Sequence, residues 1–188
     1  DAESDESLLA RYFARARKPA TSGNVYHYEQ WALEVPGVGD VKVLPIWNGP
    51  GTVKVVLLGE NKRAPDQTIV QNVYEYIESQ RPIGATVTVV PAKEISIDVS
   101  AKLTLASGAT IEEVTQMFNE GLDAYLAGLA YRDPLVRYTQ IAGILLGIPP
   151  IIDFTDLTVN GGEANIEIDI NAGDVAVRGT VTFVESTE

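Results

Sequence analysis

Residues 95–105 read Ile95-Ser96-Ile97-Asp98-Val99-Ser100-Ala101-Lys102-Leu103-Thr104-Leu105. Every odd position is apolar and every even one is polar, the period-2 pattern of a long strand buried on one face only. Such a strand needs a layer packed against its apolar side, and the residues that follow supply one. Thr110-Ile111-Glu112-Glu113 forms a capping box, in which the Thr hydroxyl and the Glu carboxylate satisfy orphan amide donors reciprocally. Val114, Phe118, Leu122, Tyr125 and Leu129 then continue at helical spacing.

Working outward toward the C-terminus, Pro134 to Arg137 is a short extended piece. It leads to a helix capped near Thr139 that carries Ile141, Ile144 and Leu145 and ends at Gly147 and Pro149-Pro150. The remainder reads as a β-meander: Ile151 to Val159, a turn at Asn160-Gly161-Gly162, Ala164 to Ile170, a turn at Asn171-Ala172-Gly173, and Val175 to Val184.

Working toward the N-terminus, Ala85 to Val90 is a strand preceded by a helix from Asp66 to about Gln80, with Ile69, Val70, Val73 and Ile77 on one side. Before it, Val41 to Trp47 and Thr52 to Leu58 form a hairpin around Asn48-Gly49-Pro50-Gly51, with Pro45 confining the first strand to an edge or a bulge. Two helices open the chain. One starts at the N-cap Ser4 and buries Leu8, Leu9, Tyr12, Phe13 and Ala16; the other follows Thr21-Ser22-Gly23 and carries Tyr28, Trp31, Ala32 and Val35. The expected fold is α+β: an N-terminal helical pair and two small α+β domains with mainly antiparallel sheets. The boundary falls near Pro91 to Lys93, giving domains 1–92 and 93–188. Residues 1–92 hold nine Lys and Arg against eleven Asp and Glu, whereas 93–188 hold five against fifteen, so the second domain carries the acidity.

The 188 residues are 45% hydrophobic and 21% charged, which is globular composition rather than disorder. A net charge of −12 disfavours nucleic acid and anionic membrane surfaces as partners, since both are bound through Lys and Arg clusters. With no cysteine, disulfides, thiolate metal sites and thiol nucleophiles are excluded. The longest apolar run, Ile144 to Ile152, is broken by Gly and Pro and is far short of a bilayer span. The start Asp1-Ala2-Glu3-Ser4-Asp5 has neither Met nor a basic, apolar leader, and reads as the beginning of a piece cut from a longer protein.

Chemistry-bearing residues are sparse. His27 is the only histidine, so a metal centre or a Ser-His-Asp triad would have to be built on it, and no Gly-x-Ser-x-Gly elbow accompanies it. Glu163, Glu167, Asp169 and Asp174 lie close together in sequence, but Glu167 and Asp169 fall on the polar side of an alternating strand, a solvated or partner-facing position. Asp153 and Asp156 have the same status. No phosphate-binding Gly-x-x-x-x-Gly-Lys motif is present. Tyr26, Tyr28, Trp31 and Trp47 are read by default as core. Arg11, Arg15, Arg17 and Lys18 form a basic helix face that either is solvated or docks an acidic neighbour. The residues therefore name no catalytic group, cofactor, metal or small-molecule substrate.

One set of residues points further. Asp1-Ala2-Glu3-Ser4-Asp5-Glu6-Ser7-Leu8 with Arg11, and Ala20-Thr21-Ser22-Gly23-Asn24 with Tyr28 and Trp31-Ala32, open the chain. Val35-Pro36-Gly37-Val38, Val41-Lys42-Val43 and Trp47-Asn48-Gly49-Pro50-Gly51-Thr52-Val53-Lys54-Val55 follow, then Arg81-Pro82-Ile83-Gly84-Ala85 with Val87 and Val89. Over residues 1–90 this resembles the C-terminal part of the baseplate J-like proteins of contractile-tailed phages and prophages, the Mu-type wedge proteins. Beyond that only the order of elements is similar. The resemblance implies a structural, non-enzymatic part of the tail baseplate wedge, located in the virion and assembled in the bacterial host cytoplasm. The implied partners are wedge and hub proteins and further copies of the chain, with Arg11, Arg15 and Arg17 as the candidate interface. The rival readings are a stand-alone α+β ligand-binding or regulatory domain and a carboxylate-based hydrolase. A concave apolar pocket would favour the first and two facing carboxylates the second.

Overall fold

A computed structural model describes residues 21–186 together with Asp5, Leu8, Leu9, Tyr12 and Phe13, these five on helical backbone. The chain divides into two compact units, Asp1–Ala92 and Lys93–Glu188.

In the first unit Asn24 caps α1 (Val25–Leu33), its side chain accepting the His27 amide at 2.9 Å. Helix α1 turns Tyr28, Trp31 and Ala32 inward. Strands β1 (Val38–Pro45) and β2 (Thr52–Gly59) form the antiparallel hairpin. Asp66 caps α2 (Gln67–Gln80), accepting from the Ile69 amide at 2.9 Å, and the apolar side of α2 buries Val70, Val73 and Ile77. Strand β3 (Thr86–Pro91) then returns beside β2, Val55 pairing with Val89. The order is β1-β2-β3, which leaves Pro45 on an edge strand as its missing N–H requires. The two helices close over Val41, Val43, Val55, Leu57 and Val87. Full burial of side chains such as Val73 and Ile77 stabilises by about 1.5–3 kcal/mol each.

The second unit is organised by β4 (Lys93–Leu105), the alternating strand, at the centre of a three-stranded sheet. It is followed by α3 (Ile111–Leu129), β5 (Leu135–Val136), α4 (Tyr138–Leu146), β6 (Ile151–Val159), β7 (Ile166–Glu167) and β8 (Asp174–Glu185). Ile97, Val99, Ala101 and Leu103 share one core with Val114, Phe118, Leu122 and Leu126 of α3. Phe118 meets Phe183 of β8 edge to face, with centroids 5.0 Å apart. The capping box at Thr110 and Glu113 is formed, each amide bonded at 3.3 Å to the other residue's side chain.

The α+β class holds, but the sheets are mixed rather than mainly antiparallel. In each, one neighbour runs parallel: β2 with β3, and β4 with β8. In the first unit the parallel pair arises because α2 crosses over between β2 and β3, and a crossover returns the chain in the same direction. In the second, the terminal segments do not form a β-meander. Strands β6 and β8 flank β4 on opposite sides, and β7 leaves that sheet to pair with β5. Strand β4 has the longest one-sided apolar run and so takes the central place, where both its edges are paired. Helix α4 also departs from expectation. It begins at Tyr138 with no side-chain cap from Arg137, and the Tyr138 amide is satisfied by Asn165 Oδ1 at 3.0 Å.

Candidate assembly surface

Most residues that could have carried chemistry are engaged in structure. His27 stacks on Trp31 with ring centroids 4.0 Å apart, and its Nδ1 accepts the Gly23 amide at 3.2 Å, so it closes the first turn of α1. Asp169 Oδ1 accepts the amides of Asn171 and Ala172 at 3.1 and 3.0 Å, an Asx turn that replaces the strand position expected for it. Glu167 lies on the two-residue β7, and Asp174 lies 3.6 Å from the Lys93 ammonium. Asp156 pairs with Lys102 at 2.9 Å. Among the described residues no group of three or more His, Asp or Glu side chains could hold a metal ion. No helix among them is long and apolar enough to cross a membrane.

Two ion pairs brace loops. Arg81 Nε and Nη2 donate to the two Glu78 oxygens at 2.6 and 2.7 Å, and Nη1 donates to the Ala85 carbonyl, so the guanidinium ties the end of α2 to the start of β3. The hydrogen bonds from Arg81 hold the Glu78 carboxyl below the usual carboxylate range. Arg137 donates to Asp133 at 2.7 Å, and that bond, with the Leu135 amide, lowers the Asp133 pKa in the same way. Tyr76 donates to Glu34 at 2.6 Å, linking α2 to the end of α1; the bond to a carboxylate raises the phenol's pKa.

The distinguishing feature of the surface is exposed apolar residues. Leu8, Leu9, Tyr12 and Phe13, expected to form a buried helix stripe, are exposed. Arg11, Arg15 and Arg17 lie outside the described residues, so the basic face between and beyond these positions is a matter of sequence alone. Of the four aromatics read as core, Tyr28 and Trp31 are buried while Tyr26 and Trp47 are exposed. Trp47 sits at the β1–β2 turn with Lys54 Nζ over its ring, 5.4 Å from the centroid. Sequence reasoning missed Ile46 and Ile83, both in turns and both exposed, Ile83 completely. A signal existed: an isoleucine between Pro82 and Gly84 cannot join a strand or helix face, so its side chain has no intramolecular layer to enter.

Comparison with known proteins gives these surfaces a context. Residues 20–91 match the Baseplate J-like central domain, and residues 97–184 match the Baseplate J-like protein C-terminal domain. The chain is 38% identical to the uncharacterized protein YqbT of Bacillus subtilis (strain 168), over 98% of this chain and 55% of that protein. It is 35% identical, with the same coverage, to the phage-like element PBSX protein XkdT of the same organism. It is 29% identical to baseplate protein gp47 of Escherichia phage Mu over 63% of this chain and 36% of gp47. The chain thus spans about half the length of the first two relatives. Among solved structures, a chain of the anti-feeding prophage (AFP) baseplate shares the fold with a TM-score of 0.58 at 15% identity, covering 94% of this chain and 42% of that one.

Proposed function

The chain belongs to the baseplate J-like family, and from that premise we propose that it is a structural component of a phage or prophage contractile-tail baseplate wedge, acting through protein–protein contacts around the hub. The observation that carries this reading is the succession of a central and a C-terminal baseplate J-like domain along one chain. A relative named as a baseplate protein supports it. The role is mechanical rather than catalytic, and it needs no cofactor, metal, nucleic acid, membrane or small-molecule substrate. Polar side chains spent on caps, turns and ion pairs fit such a role, as do apolar side chains left at the surface.

The working location is the tail baseplate of the virion, reached by assembly in the host cytoplasm, and the partners are wedge and hub proteins with further copies of this chain. Arg11, Arg15 and Arg17, close together in the sequence, dock an acidic neighbour, steering association over a distance that salt shortens. The exposed side chains of Leu8, Leu9, Tyr12 and Phe13 fit a helix that finishes its burial only in the assembly.

Electron microscopy of particles from an induced prophage tests the reading. Deleting the gene should leave no tails with a complete baseplate, and complementation with the wild-type gene should restore them. The R11E/R15E/R17E triple variant should fail to restore them. Complete tails from the deletion strain would overturn the function, whereas complete tails from the triple variant alone would overturn only the role of the arginines.

A further inference from the structure

An asparagine precedes a glycine at two places in the chain, Asn48-Gly49 and Asn160-Gly161. In that setting the side chain can react with its own backbone. The glycine amide nitrogen attacks the asparagine Cγ, and a residue without Cβ leaves the approach open. The ring closure is intramolecular and requires the two atoms at near-attack distance, so the fold around each asparagine decides whether it proceeds.

The fold treats the two sites differently. Asn160 is fixed at three points to β4. Its amide donates to the Asp98 carbonyl at 2.8 Å, its Oδ1 accepts the Asp98 amide at 2.7 Å, and its Nδ2 donates to the Ser96 carbonyl at 3.2 Å. Both ends of the carboxamide are engaged, and turning Cγ toward the Gly161 nitrogen would break two hydrogen bonds.

Asn48 is exposed at the β1–β2 turn, and its carboxamide has no hydrogen bond among the described residues. The turn is held by other atoms. The Asn48 amide donates to the Thr52 hydroxyl at 3.0 Å, that hydroxyl donates to the Gly49 carbonyl at 2.7 Å, and the Ile46 amide donates to the Thr52 carbonyl at 2.7 Å. The Gly49 nitrogen, by contrast, is loosely tied. It donates to the Ile46 carbonyl at 3.3 Å, just beyond the usual range for such a bond. That acceptor belongs to a β-branched residue at φ +57°, in the left-handed region such side chains avoid. Gly49 itself is at φ +96°, and a Cβ built there would meet nothing within 4 Å, so a ring has room to form.

We propose that Asn48 is a site of spontaneous deamidation, which remodels the β1–β2 turn, and that the fold protects Asn160 from the same reaction. The Gly49 nitrogen bonds to Asn48 Cγ, its proton passes through solvent to the departing side-chain nitrogen, and ammonia leaves behind a five-membered succinimide. Water then adds to one of the two ring carbonyls and opens the ring. Opening at Cγ gives aspartate; opening at the main-chain carbonyl gives isoaspartate. No electrons are exchanged, and water is the sole co-reactant. Either product adds one negative charge to a chain already at −12. Isoaspartate also lengthens the backbone of the turn by one carbon, next to the exposed Trp47 and the Lys54 ammonium over its ring. The chemistry belongs to one turn of the first unit and is independent of any baseplate role.

Incubation of the whole chain in warm, mildly alkaline buffer, followed by trypsin and mass spectrometry, tests the proposal. Peptide Val43–Lys54 holds Asn48 and no other asparagine, and peptide Tyr138–Arg178 holds Asn160. In the folded chain Val43–Lys54 should become one mass unit heavier and split into aspartyl and isoaspartyl forms. It should do so at least about tenfold faster than residue 160 converts, since misplacing reacting atoms by about 1 Å costs up to about 100-fold. A protein isoaspartyl methyltransferase supplied with labelled S-adenosylmethionine should label Val43–Lys54, and N48Q, whose ring would be larger, should lose that label. In urea, where the hydrogen bonds of Asn160 are gone, the two rates should converge. Circular dichroism verifies that the chain stays folded during the native incubation. An intact Asn48 after that incubation overturns the proposal, as does conversion of Asn160 at the same rate in the folded chain. Rates that stay equally far apart in urea also overturn it, because the neighbouring residues and not the fold would then set the difference.

Discussion

The Asp98 carboxylate accepts the Thr180 backbone amide at 2.7 Å, reaching from the polar face of β4 into a register shift of β8. The Asp98 amide in turn donates to Asn160 Oδ1 at 2.7 Å, and Asn160 Nδ2 donates to the Ser96 carbonyl at 3.2 Å. One polar cluster therefore ties β8, β4 and the turn after β6 together. It depends on Gly179, where a Cβ would fall well inside contact distance of Asp98 Oδ1.

G179A should act by expelling Asp98 from the Thr180 amide. D98A removes the same bond directly, at a cost of about 0.5–1.5 kcal/mol. The double variant should be no less stable than G179A alone, because the added methyl then meets no carboxylate. Urea denaturation of the four proteins measures the coupling. Strictly additive losses would show that Gly179 and Asp98 act separately.

Acid should weaken each unit through its own braced carboxylate. Glu78 and Asp133 have pKa values lowered by their hydrogen bonds to Arg81 and Arg137. A lowered folded pKa means a contribution that is complete above the ordinary carboxylate range of about pH 4 and is lost as pH falls through the lowered value. D133N should accordingly flatten the acid limb of the stability profile of unit Lys93–Glu188, while E78Q does so for unit Asp1–Ala92. Both pairs are only half-buried, so raising salt should shrink the difference. An acid limb unchanged in D133N would remove Asp133 from the account.

What could be read from the sequence divides by range. The alternation of 95–105 and the Thr110–Glu113 box are local signals, and both elements form where expected. The parallel partner of β4 begins 81 positions after it, at Asp174, and no local pattern distinguishes that pairing from a hairpin with β6. Trp47 misled because an aromatic side chain serves cores and interfaces equally well. The exposure of Ile46, Ile83 and Ile152 was not legible, because it depends on turns and a bulge that only folding defines.

The cap of α4 illustrates the same limit and makes a prediction. Asn165, 27 positions beyond Tyr138, supplies the acceptor that the sequence pattern assigns to Thr139. N165A should destabilise unit Lys93–Glu188 by about 1 kcal/mol, the usual effect of removing an N-cap side chain, and T139A by less than about 0.5 kcal/mol. Thermal melts of the two variants separate these outcomes, and an equal loss in both would return the cap to Thr139.

The two units should unfold independently, and the placement of aromatic residues makes this directly measurable. The chain's two tryptophans, Trp31 and Trp47, both lie in unit Asp1–Ala92. Trp31 is buried, and His27 stacks on its ring. Tryptophan fluorescence therefore reports the first unit, while far-ultraviolet circular dichroism sums the helices and strands of both. Phe118 is fully buried in the core of the second unit against Phe183, and none of the residues of that core belongs to the first. F118A should cost about 3–5 kcal/mol, a large share of the roughly 5–15 kcal/mol that a domain commands. In urea the dichroism transition of F118A should split, its early phase falling well below the wild-type midpoint, while the tryptophan transition stays where it was. Fragments 1–92 and 93–188 should reproduce the two phases separately. If F118A instead shifts the tryptophan transition by the same amount as the dichroism, the chain folds as one cooperative body and the division at residue 92 has no thermodynamic meaning.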